Sequence, residues 1–335
     1  MKILAVETSC DETSAAVIEE NNVLSNIISS QIVHSQFGGV VPELASRAHL
    51  QLVVPVIKQA LSSAATNLDD IDGLAVTKGP GLVGALLVGL NFVKGLALSL
   101  NKPFIGINHM EGHIYGNLLT QENIKFPILF LIVSGGHTML VLMKDHLKYE
   151  ILGTTRDDAV GEAFDKTAKI LGLGYPGGPI IDSLAEKGDQ EFVRFPKAFY
   201  KEDHFDFSFS GLKTAVLTYK NKNSESFVKE NMASICAAFR FAAIDVLVAK
   251  AIRAAKKYNA KSIGVAGGVA ANLLLRRMLG EEAGKAGLIY YQPKFEYCTD
   301  NAAMIGRTAL EYLKKNKQSD QGLNAYPSLK LTSIE

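Results

Sequence analysis

Short apolar runs closed by glycine or polar turns alternate in this chain with longer stretches of helical period. Ile-Leu-Ala-Val-Glu-Thr at 3–8 has the continuous apolar pattern of a buried strand. A polar turn from Ser9 to Ser14 follows, and residues 15–19 and 23–30 read as two further strands. Residues 43–65 read as a helix, with Leu44, Val53, Val54, Ile57 and Leu61 as its apolar positions. A strand at 71–77 ends in Lys78-Gly79-Pro80-Gly81, a helix runs on to about Leu100, and a short strand follows at 103–107. The second half repeats the plan. Strands are expected at 128–133, 138–143 and 147–153, and helices at about 160–171, 178–187 and 231–258. Strand 262–266 ends at Gly267-Gly268, a helix starts near Ala270, and a last one spans about 300–315.

The halves share element order and almost no residue identity. Three strands followed by helix–strand units, twice over, predict an α/β protein of two stacked domains with a cleft between them. The polar turn between the first two strands of each half would face that cleft, where tight-turn N–H groups can hold phosphate. The expected divisions are a first domain over 1–108, able to recruit part of 300–315 as a closing helix, then a helix and connection over 109–126. A second domain covers 127–315 with a polar, less periodic insertion at about 188–230, and a loose tail covers 316–335.

Composition narrows the class. At 335 residues with 47% apolar content the chain has enough material for two domains with cores. A net charge of +1 supplies no global field for nucleic acid, so any such contact must be local. Arg253, Lys256, Lys257, Arg276 and Arg277 read as solvated helix faces. Cys10, Cys236 and Cys298 are odd in number and far apart, the usage of a reduced compartment. The apolar start meets Glu7 too soon for a signal peptide. Leu82 to Leu100 is interrupted by Gly84, Gly89, Asn91, Lys94 and Gly95 and reads as a buried helix, so a cytoplasmic protein without a membrane span is expected.

The chemistry concentrates in a few motifs. His109-Met110-Glu111-Gly112-His113 puts two imidazoles four apart, on one helix face, able to share a metal ion. In the metalloprotease arrangement a Glu directly follows the first His and acts as base. Glu111 comes one position later, about 200° round the helix from His109, facing away from the metal. Asp300, at the head of the last helix, is the best third ligand, although spacing does not select it among 34 acids. Val133-Ser134-Gly135-Gly136-His137 ends a strand in a turn without Cβ atoms, suited to close approach of a phosphate. Gly267-Gly268, followed by Asn272, is placed to touch a nucleoside. Asp165 and Asp182 are possible acceptors for ribose or adenine groups, and Glu7, Asp11 and Glu12 line the first hairpin. Ser210-Gly211-Leu212-Lys213-Thr214 lacks the Gly-Lys adjacency of a P-loop.

Taken together, Ala5 to Thr13, His109 to His113, Ser134 to His137, Gly161-Glu-Ala-Phe-Asp165-Lys166, Gly267-Gly268 with Asn272, and Thr299-Asp300-Asn301 closely match one pattern over about 1–315. The chain resembles the bacterial TsaD family of tRNA threonylcarbamoyltransferases, once described as glycoproteases. The resemblance implies an actin-like, sugar-kinase-like (ribonuclease H-like) fold. It implies transfer of a threonylcarbamoyl group from threonylcarbamoyl-adenylate to N6 of the adenosine following the anticodon in certain tRNAs, releasing AMP. By similarity His109, His113 and Asp300 hold one divalent metal, iron or zinc. Val133, Ser134, Gly135, Gly136, His137, Asp165, Gly178, Asp182, Gly267, Gly268 and Asn272 hold the adenine nucleotide or adenylate. Asp11 and Glu12 lie near the phosphates or the reaction centre. Asp11, Glu12 and a water at the metal remain alternatives for taking the proton from N6. The family works with a paralogous dimerisation subunit of TsaB type and a P-loop ATPase of TsaE type. The competing readings are a zinc metalloprotease and a nucleotide-binding scaffold with weak ATPase activity.

Overall fold

A computed structural model describes residues 1–31, 39–121 and 123–333. In chain order the elements are β1 (Lys2–Glu7), β2 (Glu12–Glu19), β3 (Asn22–Ser30), α1 (Pro42–Ser63), β4 (Gly73–Gly79), α2 (Val83–Leu100), β5 (Phe104–Asn108) and α3 (His109–Leu118). There follow β6 (Ile128–Val133), β7 (Thr138–Asp145), β8 (Lys148–Thr154), α4 (Val160–Leu171), α5 (Gly177–Ala185), α6 (Ser210–Lys222) and α7 (Glu225–Glu230). The chain closes with α8 (Met232–Lys257), β9 (Ser262–Ala266), α9 (Leu273–Lys285), β10 (Ile289–Tyr291) and α10 (Ala302–Leu313). The described residues form two compact units, one drawn from 1–124, 146–148 and 293–335, the other from 125–145 and 149–292.

The first unit is built on a mixed sheet of order β3-β2-β1-β4-β5. β1 pairs antiparallel with β2 and parallel with β4, and β4 is parallel to β5. Both faces are covered, which is why the strands are apolar without alternation. Ile3 and Ala5 point to the α10 side with Ala302, Ile305, Ala309 and Leu310. Leu4 and Val6 point to the other face, with Val53 and Ile57 of α1 and Leu90 and Val93 of α2. The buried stripe of α1 runs Ala45, His49, Val53, Val56, Ile57, Ala60 and Leu61. Val54, expected inside, is 42% exposed, because it lies one residue, about 100°, off that stripe and Val56 takes the buried place.

The second unit repeats the order as β10-β9-β6-β7-β8. β6 is antiparallel to β7 and parallel to β9, which is parallel to β10. α2 and α8 are long and apolar enough to cross a membrane by length and composition. Buried residues of α2 pack on the first sheet, and α8 buries seventeen of its side chains, Ile235 to Ala255 among them.

Three expectations change. The second domain ends at 292 rather than 315: α10 takes the place allowed for 300–315 as a closing helix of the first sheet, because its apolar face completes the cluster around Ile3, Ala5 and Ile107. The insertion at 188–230 contains two helices, α6 and α7; Leu212, Val216 and Val228 supply their buried positions. Residues after Lys317 are not loose. Ser319 bridges to Phe104 on the free side of β5, Tyr326 N donates to Lys78 O (2.8 Å), and Gly81 N donates to Pro327 O (3.1 Å). Leu331 is buried. An edge strand with unpaired backbone groups gives that segment its partner. Residues 334 and 335 of the expected tail, and Glu122 of the expected connection, lie outside the described residues.

Candidate metal centre and nucleotide turns

Asn108, the last residue of β5, starts α3 as its N-cap: its Oδ1 accepts the Met110 N–H at 2.8 Å, and its Nδ2 donates to Lys330 O at 3.0 Å. All ten residues of α3 are buried. Gly112 and Gly116 lie on the side that meets α10. A Cβ at Gly112 would sit 2.8 Å from Ile305 Cδ1, and one at Gly116 would sit 3.2 Å from Met304 Cβ. Small residues there let the two helices approach closely.

That approach brings Asp300 to the histidines. Asn301 caps α10, with its Oδ1 accepting the Met304 N–H at 3.0 Å and its Nδ2 donating to Thr299 O at 2.8 Å. Ser14 Oγ of β2 accepts the Ala302 N–H at 2.9 Å. Asp300 Oδ1 then lies 3.4 Å from His109 Nε2 and 3.3 Å from His113 Nε2. One ligand atom from each of the three residues lies within 4.8 Å of the others. The imidazole centroids are 4.6 Å apart, with planes at 81°.

The two distances to Asp300 fit a shared metal. With bonds of about 2.0–2.1 Å to a tetrahedral ion, neighbouring ligand atoms are about 3.3–3.4 Å apart. His113 Nε2 is buried and makes no hydrogen bond among the described residues, and Nδ1 is in the same position. A buried ring nitrogen without a partner is costly, and a cation at that point would satisfy it.

Electrostatics concentrate in the same place. Burial lowers the His113 imidazole below its ordinary value. Burial would also lower His109, but the Asp300 and Glu7 carboxylates reverse this and hold it well above. Burial would raise Asp300, and the two imidazoles pull it far below the usual carboxylate range. Glu12, half-buried at the start of β2, is pushed up to about 9 by burial and by Asp300 and Asp11. Glu12 thus shares an electrostatic neighbourhood with Asp11 and with Asp300 of the His109–His113–Asp300 cluster. Glu111 takes no part: both its carboxylate oxygens lie 3.0 Å from the Tyr312 hydroxyl. Glu111 is therefore not placed as the base that the metalloprotease arrangement requires.

The glycine turns gather in the second unit, at the C-terminal ends of β6 and β9. Ser134 N donates to His137 O (2.8 Å), and His137 N donates to Ser134 Oγ (3.1 Å), closing the turn over Gly135 and Gly136. A Cβ at either of those glycines would meet nothing within 4 Å, so their backbone faces open space. Gly161, in the first turn of α4, is required by the fold: its Cβ would lie 2.6 Å from Ser134 O. Gly267 adopts φ 90°, ψ 169°, and a Cβ there would overlap the Val133 carbonyl oxygen.

The polar residues of this unit interlock. Asp165 Oδ1 accepts the Gly177 N–H at 2.7 Å, at the head of α5, next to Gly178. Asp182 Oδ1 accepts from Arg240 Nη1 at 2.6 Å and from Asn272 Nδ2 at 2.8 Å. Asn272 also caps α9, its Oδ1 accepting the Leu275 N–H at 2.9 Å. Asp165, Asp182 and Asn272 thus spend hydrogen bonds on shaping these turns. Arg240, buried on α8, was not singled out in the sequence. The signal is one arginine in Cys-Ala-Ala-Phe-Arg-Phe-Ala-Ala, an otherwise apolar helical run. Asn108 and Thr77 also carry the site's geometry and stand in none of the sequence motifs, whereas Ser9 and Asn301 enter only as members of longer motifs with no role of their own. Only the two asparagines have a sequence signal, each standing just before a helical pattern.

Comparison with known proteins gives a consistent result. The model of the TsaD family, tRNA N6-adenosine threonylcarbamoyltransferase, matches residues 22–307. A protein of that name from Clostridium botulinum (strain 657 / Type Ba4) is 53% identical over 334 residues, covering 99% of this chain and 98% of its own. One from Clostridium perfringens (strain 13 / Type A) is 53% identical over 331 residues, covering 98% of each. Among solved structures, full-length HypF in its phosphate- and nucleotide-bound form superposes with a TM-score of 0.65 at 15% identity, over 95% of this chain and 47% of that one. The Acidaminococcus fermentans (R)-2-hydroxyglutaryl-CoA dehydratase component A does so with a TM-score of 0.55 at 14% identity, over 95% and 100%. The fold is the α/β fold of the actin-like ATPases.

Proposed function

The chain belongs to the TsaD family of tRNA N6-adenosine threonylcarbamoyltransferases, and from that premise we propose how its residues carry out the transfer. It is an acyltransferase that modifies N6 of adenosine in tRNA. The donor in this reading is threonylcarbamoyl-adenylate and the acceptor is the adenosine following the anticodon. His109, His113 and Asp300 hold one divalent metal, iron or zinc. The observation that carries the reading is the convergence of Asp300 Oδ1 on the two Nε2 atoms at 3.3 and 3.4 Å.

When bound, the metal supplies positive charge, only partly offset by Asp300, for substrate oxygens and for charge developing at the carbonyl. The turns at Val133–His137, Gly178 and Gly267–Gly268, shaped by Asp165, Asp182 and Asn272, offer N–H groups to the adenylate phosphate and ribose. N6 attacks the carbamoyl carbon, the bond from that carbon to the phosphate oxygen breaks, and AMP leaves with the electron pair. We assign acceptance of the N6 proton to Asp11, because Glu12 beside it, pushed up to about 9 by burial and by the Asp300 and Asp11 carboxylates, already holds a proton at neutral pH.

Partners follow the same reading: tRNA, a dimerisation subunit of TsaB type and a P-loop ATPase of TsaE type, in the cytoplasm. The test is reconstitution with those partners, threonylcarbamoyl-adenylate and tRNA lacking the modification, read by mass spectrometry of the nucleosides. Threonylcarbamoyladenosine should form with release of AMP. Release of AMP with no modified adenosine would contradict the proposal.

A further inference from the structure

Glu7 is fully buried at the end of β1. Its Oε2 lies 3.2 Å from His109 Nδ1 and accepts a hydrogen bond from Thr77 Oγ1 of β4. Its Oε1 accepts the Ser9 backbone N–H at 2.5 Å. Ser9 Oγ lies 3.2 Å from the same Nδ1. Three adjacent strands therefore meet here: β1 supplies the carboxylate, β4 the hydroxyl that fixes it, and β5 the asparagine that starts the helix carrying His109. Among the described residues no lysine or arginine forms an ion pair with Glu7. Burying an ionised carboxylate is expensive unless other groups compensate it. The partners that Glu7 does have, Thr77, the Ser9 N–H and His109 Nδ1, all converge on one geometry.

We infer that Glu7 is the positioning residue of the metal centre: it accepts the Nδ1–H of His109 and so fixes the tautomer in which Nε2 presents its lone pair beside Asp300. A ring nitrogen can bind a metal only when deprotonated, and the hydrogen bond at the opposite nitrogen decides which one that is. Carboxylates in this position typically change metal affinity by about 10–100-fold. This inference rests on the reading of His109, His113 and Asp300 as metal ligands. His113 has no equivalent partner at Nδ1 among the described residues, so the two imidazoles are held differently.

The test uses the full chain and Co2+, as an affinity ligand and through its visible spectrum. Glu7→Gln keeps the shape of the side chain and removes its charge. It should bind Co2+ about 10–100-fold more weakly than the unaltered chain, with shifted d–d bands, while melting no lower in chelator. Glu111→Gln, altering a carboxylate on the same helix that faces Tyr312, should leave both readouts in place. Thr77→Val keeps Glu7 and removes the hydroxyl that holds it, and should shift the bands in the same direction by a smaller amount. It serves as the test if Glu7→Gln does not fold. Unchanged Co2+ affinity and spectrum in folded Glu7→Gln, or in Thr77→Val where Glu7→Gln is unfolded, would overturn the inference and leave the ligand triad standing. Failure of the unaltered chain to bind Co2+ would instead overturn the metal reading itself, and this inference with it.

Discussion

Gly267 and Gly268 are neighbours in one turn, yet alanine should have opposite consequences at the two positions. Gly267 has φ 90° and ψ 169°, a region open essentially only to glycine. Forcing another residue into it costs about 1–3 kcal/mol. The added Cβ would also overlap the carbonyl oxygen of Val133, a backbone atom held in β6 that cannot swing aside. Overpacking of that kind costs about 1–3 kcal/mol more. Gly267→Ala should therefore destabilise the second unit by about 3 kcal/mol or more. For a unit of this size each kcal/mol lowers Tm by about 2–4 °C, so a drop of roughly 6–12 °C is expected. A methyl group at Gly268 would meet no atom within 4 Å, and the residue has no positive φ. Gly268→Ala should be neutral, or stabilising by about 0.4–1 kcal/mol, because alanine restricts the unfolded chain. Thermal melts followed by circular dichroism, with urea titrations for the free energies, measure both variants. Gly267→Ala within 1 kcal/mol of the parent, or equal losses at the two positions, would refute the reasoning.

Other expectations follow from the same geometry. Glu111→Gln retains a partner for Tyr312 and should keep the rate of threonylcarbamoyl transfer within about threefold in the reconstituted assay; abolition would return Glu111 to the chemistry. Lys250 is buried, with Nζ donating to Asp206 O at 2.6 Å and to His204 O at 3.1 Å, and burial lowers it to about 8. The unfolded chain then binds the extra proton between about 8 and the ordinary lysine value. The parent should accordingly gain stability over Lys250→Met as pH rises through that window, and a flat difference in urea melts at pH 7, 9 and 10 would contradict it. Truncation after Lys317 removes buried Leu331, the edge contact of Ser319 and the Lys330 carbonyl that accepts from Asn108. It should cost the first unit about 2 kcal/mol or more, seen as an earlier melt and faster hydrogen exchange in α3.

The parts legible in the sequence were those set by local period. Apolar runs at 3–8 and 128–133 and the helical stripe of α1 place their elements because neighbouring residues decide them. His109 and His113 could be paired because i, i+4 fixes one helix face. Asp300 could not be chosen on that basis. Its approach depends on Gly112 and Gly116 admitting α10, and on Ser14 of β2 holding the α10 N-terminus, contacts that no local window contains. The same reason hid the last segment of the chain. Residues 318–331 have few apolar positions of their own, and their order comes from the free edge of β5. Glu7 is legible as a carboxylate of the first hairpin, but its hydrogen-bonding distance to His109 is a tertiary fact.

The central claim is that His109, His113 and Asp300 hold a metal on which transfer depends. Asp300→Ala tests it most directly, with metal content by mass spectrometry and modified adenosine measured on the same preparation. The account predicts a folded protein that retains little metal and transfers at least about 100-fold more slowly than the parent. A metal-free Asp300→Ala protein that modifies tRNA at the parental rate would contradict it.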